Sequence, residues 1–395
     1  MSQQGMIVAG VMSGTSADGI DVALVRISES ELNSRARGEP AIQLLGHATY
    51  SYSPRVRRAI LSAMNASSAR VADLARLNFL LGELYAKAVL ATQARFRVKA
   101  ELVGCHGQTI YHQGEARNFL GRRISTTWQT GEGAIIASRV AVPVVSDFRP
   151  ADMAVGGKGA PLVPYLDYLW FRDARTGRIV QNIGGIANLT AIPAGARPQD
   201  IIAFDTGPGN MLIDATTQLL FGRPYDRNGA IAREGAVLLN VLASAIRHPF
   251  FRRKPPKSAG REQFGSAFAA DFIASCKSAS PRAEDAVATA TALTASSIRT
   301  AYQRFVLPLM GRAQVDYLLS GGGAKNETLA AMIEHELSPL GCRVGITDNL
   351  GLPAQAKEAV AFALLSYETW HRRPGNVPSA TGARRPAILG DITYA

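Results

Sequence analysis

Short apolar runs alternate with helical patterns along the chain, and this alternation predicts an α/β fold. The first two apolar runs, Met6–Met12 and Ile20–Ile27, predict two strands joined by a glycine-rich turn. Residues 177–192 return to the same order of strand, glycine turn and strand. The two hairpins are alike in type rather than in sequence, which indicates two domains with one topology, each presenting a glycine turn to a shared cleft.

The remaining elements follow from the spacing of apolar residues. A long helix is predicted at 71–93, where Leu74, Leu77, Leu81 and Leu84 share one face. Other predicted strands are 102–104, 140–145, 201–204, 315–319 and 343–347, and other predicted helices are 211–220, 235–247, 280–309, 327–335 and 353–370. The passage Arg149–Pro164 is so rich in glycine and proline that it predicts a functional loop or hinge.

The chain has 395 residues, more than one compact core usually holds, so we expect two domains. The predicted domain I comprises residues 1–172 together with the last helix and tail, 353–395. The predicted domain II comprises residues 173–352.

The composition, 47% hydrophobic and 19% charged, is typical of a folded globular protein. No apolar run approaches the roughly 20 residues that a membrane helix needs, and the first residues lack the charged start of a signal peptide. The three cysteines are far apart and not in C-x-x-C spacing, which argues against a disulfide framework or a cysteine zinc site. We therefore expect a cytoplasmic protein without a membrane partner.

The net charge of +12 favours anionic ligands, for which nucleic acid, nucleotides and acidic sugars are candidates. The clustered arginines and lysines are not interleaved with aromatic residues, and no nucleic-acid-binding signature is present. We therefore expect small anionic substrates and no nucleic-acid partner. A nucleic-acid binder remains an alternative that rests on the charge alone.

Glycine turns after predicted strands are the strongest chemical signal in the sequence. Exposed N–H groups at such bends form anion-binding concavities, although each turn alone also fits an ordinary connection. The predicted nucleotide contacts are Gly14, Thr15, Ser16, Ala17, Asp18, Gly19, Ile20 and Asp21 in the first turn, Gly184 and Gly185 in the second, and Gly321, Gly322 and Gly323 in "SGGGAKN". Asp18 and Asp21 are the candidate Mg²⁺ ligands. The chain has neither a P-loop nor a clean G-x-G-x-x-G, so this nucleotide site must be of another kind.

A series of long motifs carries a closer resemblance. They are "GVMSGTSADGIDVALV", "GCHGQTIYH", "SDFRPADMAVGGKGAPLVP", "NIGGIANLT", "FDTGPGNMLID", "PPKSAGREQF", "SGGGAKN" and "GLPAQAKEAVAFALL". In this order, over nearly the whole chain, the sequence resembles the anhydro-N-acetylmuramic acid kinases of the actin–hexokinase–Hsp70 superfamily. It departs from that family at Ala17, where leucine is usual, and at residues 113–123, which are longer than usual.

The resemblance implies a two-domain actin/hexokinase-like, ribonuclease H-like fold with the active site in a cleft between the domains. It implies an enzyme of cell-wall recycling that uses ATP and Mg²⁺. Such an enzyme opens the 1,6-anhydro ring of anhydro-N-acetylmuramic acid with water and phosphorylates O6, which yields N-acetylmuramic acid 6-phosphate. A homodimer is a possible assembly.

Asp205 is the candidate general base, because it lies at the end of a predicted strand and glycines follow it closely. The alternative is that Asp205 caps the next helix. The candidate sugar contacts are His106, Gln108, Arg149, Asp152 and Glu358, of which Glu358 rests on the resemblance alone. Arg149 is suited to pair with the lactyl carboxylate of the sugar. The basic segment 254–261 is interpreted as a surface loop.

Two other functions stay open from the sequence. One is a kinase of another amino sugar on the same fold. The other is a non-catalytic ATP-binding regulator, against which the glycine-framed Asp205 argues.

Overall fold

The computed structural model describes residues 5–28 and 42–395, and the chain divides into two compact units. Unit 1 consists of residues 1–170 and 355–395, and unit 2 consists of residues 171–354. The sequence placed the corresponding domain boundaries at 172 and 352. Each unit has its own sheet and its own apolar core.

The strands of the described residues are β1 Met6–Ser13, β2 Gly19–Ile27, β3 Ile42–Ser51, β4 Leu102–Phe119, β5 Arg122–Thr130, β6 Val144–Ser146, β7 Gly177–Ile183, β8 Ile186–Ile192, β9 Ile202–Pro208, β10 Val315–Ser320, β11 Cys342–Ile346 and β12 Asp391–Thr393.

The α-helices of the described residues are α1 Pro54–Ala63, α2 Val71–Phe96, α3 Gly133–Val140, α4 Phe148–Ala154, α5 Pro164–Phe171, α6 Asn210–Phe221, α7 Ala230–Glu234, α8 Leu239–Ala245, α9 Arg261–Phe264, α10 Ser266–Ala279, α11 Ala283–Ala301, α12 Leu307–Met310, α13 Glu327–Leu337, α14 Lys357–Trp370 and α15 Pro378–Thr381. Short 3₁₀ turns include Pro249–Arg252 and Gly322–Lys325, and one π-helical turn spans Tyr302–Val306. None of the helices described is long and apolar enough to cross a membrane.

Unit 1 is built on a sheet in the order β12-β6-β4-β1-β2-β3, with β5 paired to the outer part of β4. Strand β1 is antiparallel to β2 and parallel to β4, and β4 is parallel to β6. Helix α14 packs closely on this sheet at two glycines. A side chain at Gly10 would collide with the Ala359 carbonyl, and one at Gly104 would collide with the Phe362 carbonyl. The glycines therefore let the last helix return to the first strand of the unit.

Unit 2 is built on a five-stranded sheet in the order β11-β10-β7-β8-β9. Strand β8 is antiparallel to β7 and to β9, whereas β7, β10 and β11 are parallel. In unit 1, the strands β1, β2, β3, β4 and β6, numbered 1 to 5 along the chain, lie in the sheet order 3-2-1-4-5. In unit 2, the strands β7 to β11, numbered in the same way, lie in the same order. In each set of five, only the second strand is antiparallel to the others. This confirms the prediction of two α/β domains with one topology, which is the ribonuclease H-like arrangement.

Several predicted elements differ from the structure. The helix predicted at 235–247 is helical only over Leu239–Ala245, and the helix predicted at 280–309 is interrupted by the π-helical turn Tyr302–Val306. The strand predicted at 102–104 extends to Phe119, because residues 122–130 return as β5 and supply its hydrogen-bond partners. The predicted strand at 140–145 begins only at Val144, since helix α3 occupies the residues up to Val140. The passage interpreted as a loop at 149–164 contains helix α4, which starts one residue earlier at Phe148.

Candidate active site

The first glycine turn joins β1 to β2 in unit 1 and is closed by a hydrogen bond from the Ala17 amide to the Gly14 carbonyl, 3.1 Å long. Thr15 and Ser16 are exposed residues of this turn. The side chains of Ala17 and Ile20 belong to the apolar core, at 0% and 3% exposure. Neither residue offers an exposed side chain to a nucleotide, and the Ala17 amide is already used within the turn.

A cluster of buried polar side chains is hydrogen-bonded to this turn and holds it in place. The Ser13 hydroxyl donates to Gln108 Oε1 over 2.6 Å and lies 2.8 Å from the Tyr52 hydroxyl. Gln108 Nε2 donates to the Gly14 carbonyl over 3.3 Å. Because Gln108 is fully buried and its side-chain amide is used in this way, it positions the turn, and its contact with the sugar stays a prediction.

The candidate Mg²⁺ ligands both have protein partners. Asp18 forms a salt bridge of 3.0 Å with Arg57, and Asp21 Oδ1 accepts from the Thr49 hydroxyl over 2.5 Å and lies 3.2 Å from His47 Nε2. Within residues 5–28 and 42–395, no group of three His, Cys, Asp or Glu side chains could hold a metal ion. One or two carboxylates fit Mg²⁺ nonetheless, since this ion keeps several waters and is usually completed by substrate phosphates.

His106 and Arg149 form a directly bonded pair in unit 1. Arg149 Nε and Nη2 lie 3.1 and 3.0 Å from His106 Nε2, and His106 Nδ1 lies 2.8 Å from the Gly107 carbonyl. A carbonyl can only accept, so Nδ1 carries the proton and Nε2 accepts from the guanidinium. Burial and the adjacent Arg149 charge lower the pKa of His106 to about 3, so the ring is neutral at pH 7. The pair thus orients the guanidinium of Arg149.

One carboxylate, that of Glu358, acts on this guanidinium, and a second, that of Asp21, acts on Glu358. Burial lowers the pKa of Arg149 to about 10, and the Glu358 carboxylate opposes that effect. Desolvation raises the pKa of Glu358, which Lys357 and Arg149 oppose and Asp21 reinforces. The Glu358 side chain is nevertheless exposed, so water screens part of this effect. Strands β2 and β4 and helices α4 and α14 therefore bring Asp21, His106, Arg149 and Glu358 into one polar cluster.

Asp152 does not join that cluster. Its Oδ1 accepts from Asn376 Nδ2 over 2.6 Å and from the Thr381 hydroxyl over 2.7 Å, and its Oδ2 accepts from the Gly159 amide over 2.8 Å. The side chain is fully buried. It therefore ties helix α4 to the C-terminal segment, and its contact with the sugar stays a prediction.

The neutral state of His106 predicts a specific pH dependence of stability. Its folded pKa lies below the ordinary value of 6.5, so between pH 6.5 and about 3 the unfolded chain binds a proton that the folded chain does not. This contribution is present above pH 6.5 and is lost as the pH falls. His106→Gln should reduce the loss of unfolding free energy between pH 7.5 and pH 5 by about 2 kcal/mol, measured by urea denaturation. The exposed His335→Gln serves as the control, and an equal pH dependence in both variants would contradict the assignment.

In unit 2, three glycine turns follow the C-terminal ends of β7, β9 and β10. These strands run in the same direction, so the turns lie at the same end of the sheet. The Asn210 amide donates to the Gly184 carbonyl over 2.8 Å, and the Gly209 amide donates to the Gly185 carbonyl over 2.9 Å. Gly321 has φ +80°, and a side chain there would lie 2.6 Å from Asn182 Oδ1. The last turn therefore requires glycine in order to approach the neighbouring strand end.

A pocket of about 370 Å³ opens beside these turns, lined by Asn210, Ile213, Asp214, Tyr225, Asp226, Arg227, Asn228, Gly322, Lys325 and Asn326. Of these lining residues, only Gly322 was predicted from the sequence as a ligand contact. A signal was present, since Asn210 and Asp214 are four residues apart and therefore share one face of α6. Burial and the nearby Asp226 raise the pKa of Asp214 to about 6. The pocket thus offers amide groups and a carboxylate of raised proton affinity.

Asp205 lies within strand β9 rather than at its end, since β9 continues to Pro208. A β-bulge at Thr206 follows it, because Gly207 is opposite Ala187 while Asp205 is opposite Asn188. Asp205 Oδ2 accepts from the Ala259 amide over 2.7 Å. The cap of helix α6 is Gly209, so the interpretation of Asp205 as that helix cap is wrong.

The segment 254–261, interpreted as a surface loop, is in part buried. Lys257 is 4% exposed, and its carbonyl accepts from the Asp205 amide over 3.1 Å. The loop therefore lies along the open edge of β9 and satisfies backbone groups that an edge strand leaves unpaired. Its basic composition suggested solvent exposure, and only the fold places it beside Asp205.

Comparison with known families gives a match over nearly the whole chain. The model of the family described as "AnmK: Anhydro-N-acetylmuramic acid kinase" matches residues 6–395. The anhydro-N-acetylmuramic acid kinase of Bacillus cereus (strain AH187) is 45% identical over 392 residues, which is 98% of this chain and 99% of that relative. The protein of the same name from Bacillus thuringiensis subsp. konkukian (strain 97-27) is 44% identical over 392 residues, again 98% of this chain and 99% of the relative.

Two solved structures match at much lower sequence identity. The activator of the 2-hydroxyisocaproyl-CoA dehydratase from Clostridium difficile with bound ADPNP is 14% identical with a TM-score of 0.42, covering 92% of this chain and 95% of that one. The ROK hexokinase from Thermus thermophilus is 12% identical with a TM-score of 0.40, covering 93% of this chain and 100% of that one.

Proposed function

Since the chain belongs to the anhydro-N-acetylmuramic acid kinase family, we propose that it opens the 1,6-anhydro ring of anhydro-N-acetylmuramic acid with water and phosphorylates O6 with ATP. The observation that supports this activity is the family match over 98% of the chain at 45% identity. The product is N-acetylmuramic acid 6-phosphate, as expected of a carbohydrate kinase in cell-wall recycling. Cytoplasmic location and a homodimer stay predictions.

Asp205 is the general base in this proposal. Its carboxylate takes a proton from the water that attacks C1, and the C1–O6 bond breaks as the new C1–O bond forms. The O6 electron pair then attacks the γ-phosphorus of ATP, and ADP leaves. The hydrogen bond from the Ala259 amide to Oδ2 fixes the plane of the carboxylate, which supports this role.

The first glycine turn holds the phosphates. The exposed amides and hydroxyls among residues 14–19 surround the phosphate oxygens, as anion-binding bends do. Asp21 in β2 and Asp18 in the preceding turn would hold Mg²⁺ through one or two carboxylate contacts, and the ion would supply positive charge to offset that of the phosphates. Asp18 would have to share its carboxylate with Arg57 for this purpose.

The polar cluster of unit 1 holds the sugar. Arg149 pairs with the lactyl carboxylate, because neutral His106 holds its guanidinium in place. The negative charge of the ligand also offsets the cost of burying the positive charge of Arg149. Glu358 accepts hydrogen bonds from sugar hydroxyl or amide groups. In unit 2, the glycine turn at 321–323 and the adjoining pocket hold the nucleoside of ATP.

The decisive experiment identifies the product. The purified protein with MgATP and anhydro-N-acetylmuramic acid should form a sugar that is heavier by both phosphate and water. In H₂¹⁸O the label should be found at C1 of that sugar, as measured by mass spectrometry. Label found only in free phosphate would show plain ATP hydrolysis and would contradict the proposal.

Gly14→Val tests the phosphate-binding turn. A Cβ at Gly14 has Ser16 Oγ as its nearest neighbour at 4.0 Å, so the protein itself has room for the side chain. The valine would occupy space that the phosphates need, and we expect ATP affinity to fall at least tenfold, measured by calorimetry. Gly345→Val in β11 is the control, since a Cβ there also finds its nearest neighbour only at 3.9 Å. Equal ATP affinity in both variants would make residues 14–19 an ordinary hairpin turn.

A further inference from the structure

Lys257 is a buried cation next to the proposed base. Its ammonium nitrogen lies 4.5, 5.0 and 5.6 Å from the ring centres of Phe250, Phe305 and Phe204, and it donates to the Phe250 carbonyl over 3.2 Å. Three aromatic faces around one ammonium group form a cation–π cage. We call Phe204, Phe250 and Phe305 with the Phe250 carbonyl the aromatic cage.

The backbone on either side of this lysine holds Asp205. The Lys257 carbonyl accepts from the Asp205 amide over 3.1 Å, and two residues later the Ala259 amide donates to Asp205 Oδ2 over 2.7 Å. The loop 257–259 thus contacts both the backbone and the carboxylate of Asp205. Phe204, which precedes Asp205 in β9, belongs to the cage, so the cage and the base are linked through the strand as well.

We propose that Lys257 is a positioning residue for Asp205: its ammonium group, seated in the aromatic cage, anchors the loop 257–259 and thereby holds the Asp205 carboxylate at a fixed place and orientation. This inference rests on the proposed role of Asp205 as the base. A general base must lie within hydrogen-bond reach of the water, and a misplacement of about 1 Å can cost about 10² in rate.

The charge of Lys257 is matched to this role. Burial lowers the pKa of Lys257 to about 8, helped by Arg253 and Arg304 and opposed by Asp205. Within residues 5–28 and 42–395, these three are the charged groups that act on the ammonium. When Lys257 loses its proton, the cation–π attraction and the attraction to Asp205 are lost together. The anchoring of the loop 257–259 by charged Lys257 is therefore complete well below pH 8 and weakens as the pH rises through 8.

The test compares Lys257→Met, Lys257→Arg and the surface control Lys277→Met in α10 with the wild type. For Lys257→Met we expect kcat to fall about 10- to 100-fold at pH 7, while the KM for sugar and the Kd for ATP change less than threefold. The wild type should lose kcat above pH 8, Lys257→Met should lack this alkaline limb, and Lys257→Arg should shift it upward. Lys277→Met should match the wild type throughout.

A wild-type kcat and an unchanged alkaline limb in Lys257→Met would overturn the inference. If that variant does not fold, Ala259→Pro removes the amide donor to Asp205 without changing any charge, and it should lower kcat with little change in KM; a wild-type kcat there also overturns the inference. Asp205→Asn measured in parallel separates the two proposals. An inactive Asp205→Asn with a fully active Lys257→Met rejects only the positioning role, whereas an active Asp205→Asn rejects the base itself.

Discussion

Asp205→Asn is expected to lower kcat by about 10²–10⁴ while MgATP still binds with nearly wild-type affinity. Asparagine keeps the shape of the side chain, and its amide oxygen can still accept from the Ala259 amide. It cannot take a proton from water, so only the chemical step is lost. Steady-state kinetics give kcat, and calorimetry gives the affinity for the nucleotide.

Asp271→Asn on the surface of α10 is the matched control, because Asp271 is exposed and lies outside the proposed site. It should have wild-type kcat. Retention of a tenth of the activity by Asp205→Asn would contradict the assignment of Asp205 as the base. Since Gly209 caps α6, a helix-cap role is no longer available to explain any loss.

Arg149→Met is expected to reduce kcat/KM for anhydro-N-acetylmuramic acid by about 10²–10³, because it removes a charged and bidentate partner of the lactyl carboxylate. The same substitution should affect an anhydro-N-acetylglucosamine substrate much less, since that sugar lacks the lactyl group. The ratio of kcat/KM for the two sugars therefore measures the contact itself, apart from any loss of structure.

Arg139→Met is the control for the loss of an arginine, since Arg139 pairs with Glu83 on the surface of unit 1 over 2.9 Å. It should leave the ratio for the two sugars unchanged. Equal losses on both sugars in Arg149→Met would mean that Arg149 supports His106 and Glu358 and does not contact the carboxylate.

Local sequence patterns were sufficient for the two hairpins and for the long helices. Strands β1 and β2, and again β7 and β8, are apolar runs separated by glycines, and a hairpin needs only contacts between neighbouring segments. The glycine turn within each hairpin was also predicted as a place where a nucleotide binds. Asp205 was predicted from its place after an apolar run and before glycines, and His106 and Arg149 from their residue types within long motifs, whereas Glu358 rested on the family resemblance.

Contacts between distant parts of the chain decided which polar residues support the fold and which face a ligand. Asp152 was predicted to contact sugar, but its partners Asn376 and Thr381 follow 224 and 229 residues later in the sequence. Gln108 lies under the first turn because β4 pairs with β1. No local pattern contains this information, because a carboxylate or amide has the same sequence signature whether protein or substrate satisfies it.

The surroundings of the base show the same division. The sequence by itself determined that Asp205 follows an apolar run and precedes glycines, and that a basic, proline-rich segment lies some fifty residues later. Only the tertiary structure decided that this segment borders β9, and that Lys257 is buried among three phenylalanines. The reason is that an edge strand must satisfy its unpaired backbone groups, and which segment does so depends on how the whole sheet and its helices pack.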